Sequence, residues 1–95
     1  MSEAAVANLV RTALISNRRG LHARAAAKFV KLAGQFDAQI EVSNRGTSVS
    51  GRSIMGLMML AAAPGCTIEL RGQGEQATAA LDALVALIEA KFDED

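Results

Sequence analysis

His22 is the only histidine in the chain. It follows Gly20-Leu21 at the end of a polar loop and stands directly ahead of a segment that opens Ala23-Arg24-Ala25 and continues with helical spacing. A histidine there occupies a helix N-terminus, where the first backbone N–H groups lack intrahelical partners and carry the positive end of the dipole. Such a position favours an anion such as phosphate. Two residues on, Arg24 offers a planar guanidinium fork that can hold phosphate oxygens in pairs. An imidazole near neutral pH is largely unprotonated and nucleophilic, and a phosphoryl group on its nitrogen passes on readily. The chemistry open to these residues is a phosphoryl relay through His22 rather than hydrolysis. A lone histidine is also an ordinary helix cap or surface residue, Arg24 an ordinary solvated first-turn residue and Ser53 an ordinary N-cap, and spacing alone does not separate the readings.

The elements that hold these residues follow from pattern. Residues 9–15 (LVRTALI) are apolar and β-leaning, with Arg11 and Thr12 interleaved, and predict a strand ending at the loop Ser16-Asn17-Arg18-Arg19-Gly20. After His22, Ala26, Phe29, Val30 and Ala33 recur at helical spacing, with Lys28 and Lys31 outward and Gly34 as a stop. Gln39-Ile40-Glu41-Val42-Ser43 alternates, breaks at Asn44-Arg45-Gly46 and resumes as Thr47-Ser48-Val49-Ser50, which predicts a hairpin. Ser53 is a good N-cap for a short helix over 54–60, closed by Pro64-Gly65. Residues 66–71 alternate as a fourth strand, with Ile68 and Leu70 inward and a turn at Gly72-Gln73-Gly74. From Glu75 onward, Ala77, Leu81, Leu84, Val85, Ile88 and Phe92 form one helical stripe, and the acidic tail over 91–95 is expected to fray. The order is β-α-β-β-α-β-α. Each strand has one apolar and one polar face, so the expected architecture is α+β: an open-faced β-sandwich, a four-stranded antiparallel sheet covered on one face by three helices.

Composition bounds the rest. At 95 residues, 51% hydrophobic and 21% charged, with eight glycines and one proline, the chain predicts a single globular domain and excludes disordered and low-complexity classes. One cysteine, Cys66, allows no internal disulfide, and a single histidine with no cysteine cluster gives no metal-ligand spacing. The N-terminal MSEAAVANLV does not read as a signal peptide, and the longest apolar run, residues 54–63, is far short of the ~20 residues of a membrane-spanning helix. A soluble cytoplasmic protein without metal or cofactor is expected.

Two motifs in register with this topology give a family resemblance over nearly the whole chain. Gly20-Leu21-His22-Ala23-Arg24 matches the active-site motif of the histidine-containing phosphocarrier proteins (HPr) of the bacterial phosphotransferase system, and Gly51-Arg52-Ser53-Ile54-Met55-Gly56-Leu57-Met58 resembles the motif around their regulatory serine. The resemblance implies that His22 takes a phosphoryl group on Nδ1 from enzyme I, which draws it from phosphoenolpyruvate, and gives it to an enzyme IIA domain. It also implies that Arg24 assists the transfer and that Ser53 is the target of an ATP-dependent HPr kinase/phosphorylase. A carrier in either the sugar-uptake or the nitrogen-related branch would have both motifs. Ala25 stands where many members have Pro, and Arg52 where Lys commonly precedes the serine. Neither change removes a chemical group.

Charge and apolar patterning suggest a docking surface without the resemblance. The chain is neutral, yet residues 11–52 hold Arg11, Arg18, Arg19, Arg24, Lys28, Lys31, Arg45 and Arg52 against only Asp37 and Glu41, a local surplus of six positive charges. Clustered around His22, these would steer an acidic partner, with Arg18, Arg19 and Arg52 the expected contacts. The short helix after Ser53 has no polar face, so Ile54, Met55 and Met58 are expected to be exposed for partners and Leu57 buried. A nucleic-acid module is the first rival, but at most Phe36 is left to stack on a base. A small-molecule sensing domain, often dimeric, is the second. A monomer that binds neither nucleic acid nor membrane is the expectation.

Overall fold

The computed structural model describes residues 9–60 and 62–94. Four strands form the sheet: β1 (Leu9–Leu14), β2 (Gln39–Asn44), β3 (Thr47–Ser50) and β4 (Thr67–Gln73). They lie in the order β1-β4-β2-β3, and every neighbouring pair is antiparallel. Three helices, α1 (Ala23–Ala33), α2 (Ile54–Met59) and α3 (Ala77–Glu89), complete the expected order, and a short 3-10 turn, Lys91–Asp93, follows. The fold is the α+β open-faced sandwich that the alternation predicts.

Alternation decides which face is covered. Ala13, Ile40, Val42, Ile68 and Leu70 are buried beneath the helices, while Thr12, Glu41 and Arg71 face outward from the uncovered side. From α1 the core receives Ala25, Ala26, Phe29 and Ala33, and from α3 Ala77, Ala80, Leu81, Leu84 and Ile88. From α2 it receives Leu57, as expected.

Three expectations are corrected. Gly72-Gln73 does not turn but completes β4. Gly72 lies beneath α3, where a Cβ would come within 3.1 Å of the Leu81 side chain, so the glycine permits a close approach inside a strand. Phe92 is wholly buried, as its apolar character suggested, but it does not extend the α3 stripe. The helix ends at Glu89, and Lys91, Phe92 and Asp93 all adopt left-handed backbone (φ 57°, 55° and 60°), reversing the chain. The tail therefore does not fray through Glu94: Phe92 anchors it in the core, and polar contacts hold Glu94. Asp95 lies outside the described residues.

Candidate functional site

His22 is the N-cap of α1, in extended backbone (φ −78°, ψ 179°), and its side chain makes no capping bond. The loop before it is tightly built. Gly20 has φ +65°, and a Cβ there would meet the Ala62 carbonyl oxygen at 2.6 Å, so only glycine fits. The Leu21 N–H donates to that same carbonyl at 2.9 Å, and the His22 N–H donates to Gly20 at 2.9 Å. The first helical bond runs from the Ala26 N–H to the His22 carbonyl at 2.8 Å, which leaves the N–H groups of Ala23, Arg24 and Ala25 without an intrahelical acceptor. With Ala rather than Pro at position 25, the first turn keeps one more free donor.

Because the helix start leaves the imidazole uncommitted to capping, the ring is set by the tail instead. His22 Nε2 lies 2.8 Å and 2.9 Å from the two oxygens of the Glu94 carboxylate. Asn17, fully buried in the loop, donates its Nδ2 to Gly20 O at 2.8 Å and to Glu94 Oε1 at 2.9 Å. Its Oδ1 is buried with no partner among the described residues. Lys28 donates its Nζ to the Phe92 carbonyl at 2.6 Å. The His22 and Glu94 side chains are only 17% and 11% exposed, so the pair is shielded from much of the solvent.

The hydrogen bond from His22 is the main reason the Glu94 carboxyl is held below its ordinary 4.5. Partial desolvation opposes it, and Asn17 and the charges of His22 and Lys28 add to it. Glu94 is thus an anion at neutral pH and can only accept, so the proton on the imidazole must be on Nε2. In the neutral ring the other nitrogen, Nδ1, bears the lone pair. Left-handed backbone costs about 1 to 2 kcal/mol for each residue with a Cβ. The contacts made by the buried Phe92 ring, Lys28 Nζ and the Glu94 carboxylate are available to offset that cost over three such residues in succession.

Arg24 is exposed in the first turn of α1, and Arg18 and Arg19 are exposed in the loop just before His22. Ser53 caps α2, its Oγ accepting from the Gly56 N–H at 2.9 Å. Ile54, Met55 and Met58 are exposed, joined by Met59 at 75%. The segment after α2 reaches the Gly20–Leu21 loop through the Ala62 carbonyl, while Ser53 stands at the N-terminal end of α2.

The expected clustering of basic residues around His22 is corrected at Arg52, and two other members have partners of their own. Arg52 turns its Nη2 to the carbonyls of Phe36 and Ala38, both at 3.2 Å, beyond the C-terminal end of α1. The 11-residue helix spans roughly 16 Å, so this guanidinium belongs to the end of α1 opposite His22. Arg11 pairs with Asp82 of α3 at 3.5 Å. Lys28, read as outward, is half-buried on the tail. Sequence reasoning missed Asn17 and Glu94 as members of the site, and took Lys28 for an outward charge of the basic cluster rather than a donor to the tail. Three nearby acids at the chain end read as solvated charge, and no local pattern announces a left-handed reversal.

An open-faced sandwich presenting a histidine at an uncapped helix start, with a carboxylate on its Nε2, is an arrangement suited to a small phosphoryl carrier. The family model described as "PTS HPr component phosphorylation site" matches residues 9–90. The phosphocarrier protein NPr of Shewanella violacea is 50% identical over 86 residues, covering 90% of this chain and 94% of that one. The phosphocarrier protein HPr of Pseudomonas aeruginosa is 53% identical over 81 residues, covering 84% and 90%. Among solved structures, HPr-C-His from Thermoanaerobacter tengcongensis superposes with a TM-score of 0.87 at 42% identity, covering 92% and 98%. The chain belongs to the HPr family of phosphocarrier proteins of the phosphotransferase system.

Proposed function

We propose that His22 accepts a phosphoryl group on Nδ1 from phosphorylated enzyme I and passes it to an enzyme IIA domain. The observation that carries this reading is the hydrogen bond from His22 Nε2 to the ionised Glu94 carboxylate, which leaves Nδ1 as the nucleophilic nitrogen. The Nδ1 lone pair forms the new bond to phosphorus, and the donor's bond to phosphorus breaks with its electron pair returning to the donor atom. No proton has to move. The imidazole keeps its Nε2 proton and gains positive charge, which the Glu94 carboxylate offsets. Arg24 and the free N–H groups of Ala23, Arg24 and Ala25 are the groups available to the phosphoryl oxygens. The reverse sequence delivers the group to enzyme IIA.

Arg18 and Arg19, with the apolar face Ile54, Met55 and Met58, are the proposed contacts for these partners. Ser53 is the proposed site of regulatory phosphorylation by a kinase/phosphorylase. One chain holds every group the site uses, so the proposed working unit is a cytoplasmic monomer. Among the described residues no helix is long and apolar enough to cross a membrane.

Incubation with phosphoenolpyruvate and enzyme I tests the acceptor. One acid-labile phosphate should appear on the wild type and none on His22→Ala, with matching circular dichroism melts. Labelling of the variant overturns the assignment. The nitrogen-related branch is the second reading, favoured by the likeness to an NPr. Affinity capture followed by identification of the enzyme I recovered decides between the branches.

A further inference from the structure

We propose that Lys28 is a positioning residue for His22, acting through the Lys91–Asp93 turn: by holding the Phe92 carbonyl it keeps Glu94 on Nε2 and so keeps Nδ1 unprotonated. The inference deepens the reading of His22 as phosphoryl acceptor and rests on it.

A lysine six residues into a helix beside an anion site would ordinarily be a solvated docking charge. This one is half-buried, and its ammonium is committed at 2.6 Å to a backbone carbonyl 64 residues away in sequence. That carbonyl belongs to the central residue of the left-handed turn. Within the turn, the Asp93 N–H donates to Ala90 at 2.9 Å and the Glu94 N–H to Lys91 at 3.2 Å. Lys28 supplies a side-chain hydrogen bond that reaches the turn backbone from another element. The Phe92 side chain pins the turn to the core, but burial of an aromatic ring fixes a location and not a backbone direction. A hydrogen bond to the peptide carbonyl does fix that direction, and Glu94 follows two residues later.

The carboxylate then has two donors waiting, Asn17 Nδ2 and His22 Nε2. If the turn swings away, the carboxylate leaves both, and the imidazole redistributes its proton between nitrogens. The fraction of chains that present a bare Nδ1 falls with it. Lys28 thus governs the ring without touching it or the phosphoryl group.

Because the chain has a single histidine, 15N-edited spectra of the imidazole read this ring alone. In unphosphorylated protein at pH 8, the wild type should be dominated by the form protonated on Nε2. Lys28→Met should shift the ratio several-fold toward the other tautomer, and Lys28→Arg, which retains a donor, should restore most of it. Steady-state phosphorylation by enzyme I should fall several-fold in kcat for Lys28→Met, with KM little changed. An unchanged tautomer ratio in Lys28→Met overturns the proposal, and so does an unchanged ratio with a raised KM, the mark of a docking charge. Amide spectra of both variants should match the wild type outside the tail, and a variant that loses them while Lys28→Arg also fails to restore the ring overturns it as well. The tautomer is read without any phosphate present. A wild type that shows the expected ratio yet accepts no phosphate therefore refutes the acceptor reading alone.

Discussion

The Nε2 atom of His22 lies 2.8 Å from Glu94 Oε1 although the two residues are 72 apart in sequence. The contact joins the start of α1 to the last described residue, so the state of the tail and the state of the imidazole are linked. Its dependence on pH has a definite sign. The Glu94 carboxyl is held below its ordinary 4.5, first by the His22 hydrogen bond. A carboxyl with a depressed folded value adds stability above its unfolded value and loses it as pH falls through the folded one. The contribution is therefore fully present at neutral pH, begins to fall below the ordinary 4.5, and is lost as pH drops through the lower folded value. Glu94→Gln should be less stable than wild type at pH 7, and the gap should shrink at a pH well below 4.5, as urea melts at the two pH values would show. A gap of the same size at both refutes the linkage.

Arg24 is exposed at the second position of α1, in the same turn as the free N–H groups. Arg24→Lys retains charge and loses the paired geometry. Phosphorylation of His22 should slow about ten-fold, the effect of one charged hydrogen bond of roughly 1.5 kcal/mol. Stopped-flow transfer from phosphorylated enzyme I measures it, and equal rates would show that charge alone matters.

Arg52 tests the opposite expectation. Its hold on the Phe36 and Ala38 carbonyls ties the start of β2 to the residues ahead of α2. Arg52→Ala should lower stability by about 1 kcal/mol while leaving transfer to His22 near wild type. A normal melt with a raised KM for enzyme I would return Arg52 to the docking surface.

Much of this was legible in the sequence because period-two alternation and helical spacing state which face is buried, and one sheet with one covered face obeys both. The misreadings share a physical origin: each depends on a contact made far away in the chain. Gly72 resembles a turn glycine until Leu81 is seen to rest on it. Arg52 carries the charge of a docking residue, yet two carbonyls beyond α1 decide where it points. Phe92 fits a helical stripe by spacing, and no local preference of Lys, Phe or Asp foretells three left-handed residues in succession. His22 and Arg24 were visible because helix-start chemistry is local. Glu94, and the bond of Lys28 to the tail, were not, because these contacts exist only once the tail has turned.

Ser53 separates stability from docking. Its Oγ accepts from the Gly56 N–H at 2.9 Å, so Ser53→Ala should lose the cap and about 1 kcal/mol of stability. Aspartate caps as well as serine does, and its charge suits the first turn of a helix, so Ser53→Asp should melt within about 0.5 kcal/mol of wild type. Ser53 stands at the N-terminal end of α2, while the contact with the Gly20–Leu21 loop comes from Ala62 beyond the helix's other end. The charge instead borders the exposed face of Ile54, Met55 and Met58. A partner acidic enough to be steered by Arg18, Arg19 and Arg24 would meet a like charge beside its apolar contacts, and such juxtapositions cost several kcal/mol. Ser53→Asp should therefore raise KM for enzyme I at least ten-fold with kcat little altered, whereas Ser53→Ala should leave KM unchanged despite its lower melting point. Steady-state titrations of the three proteins, with thermal melts alongside, distinguish these outcomes. Equal KM for Ser53→Asp and wild type would make Ser53 a structural cap and nothing more.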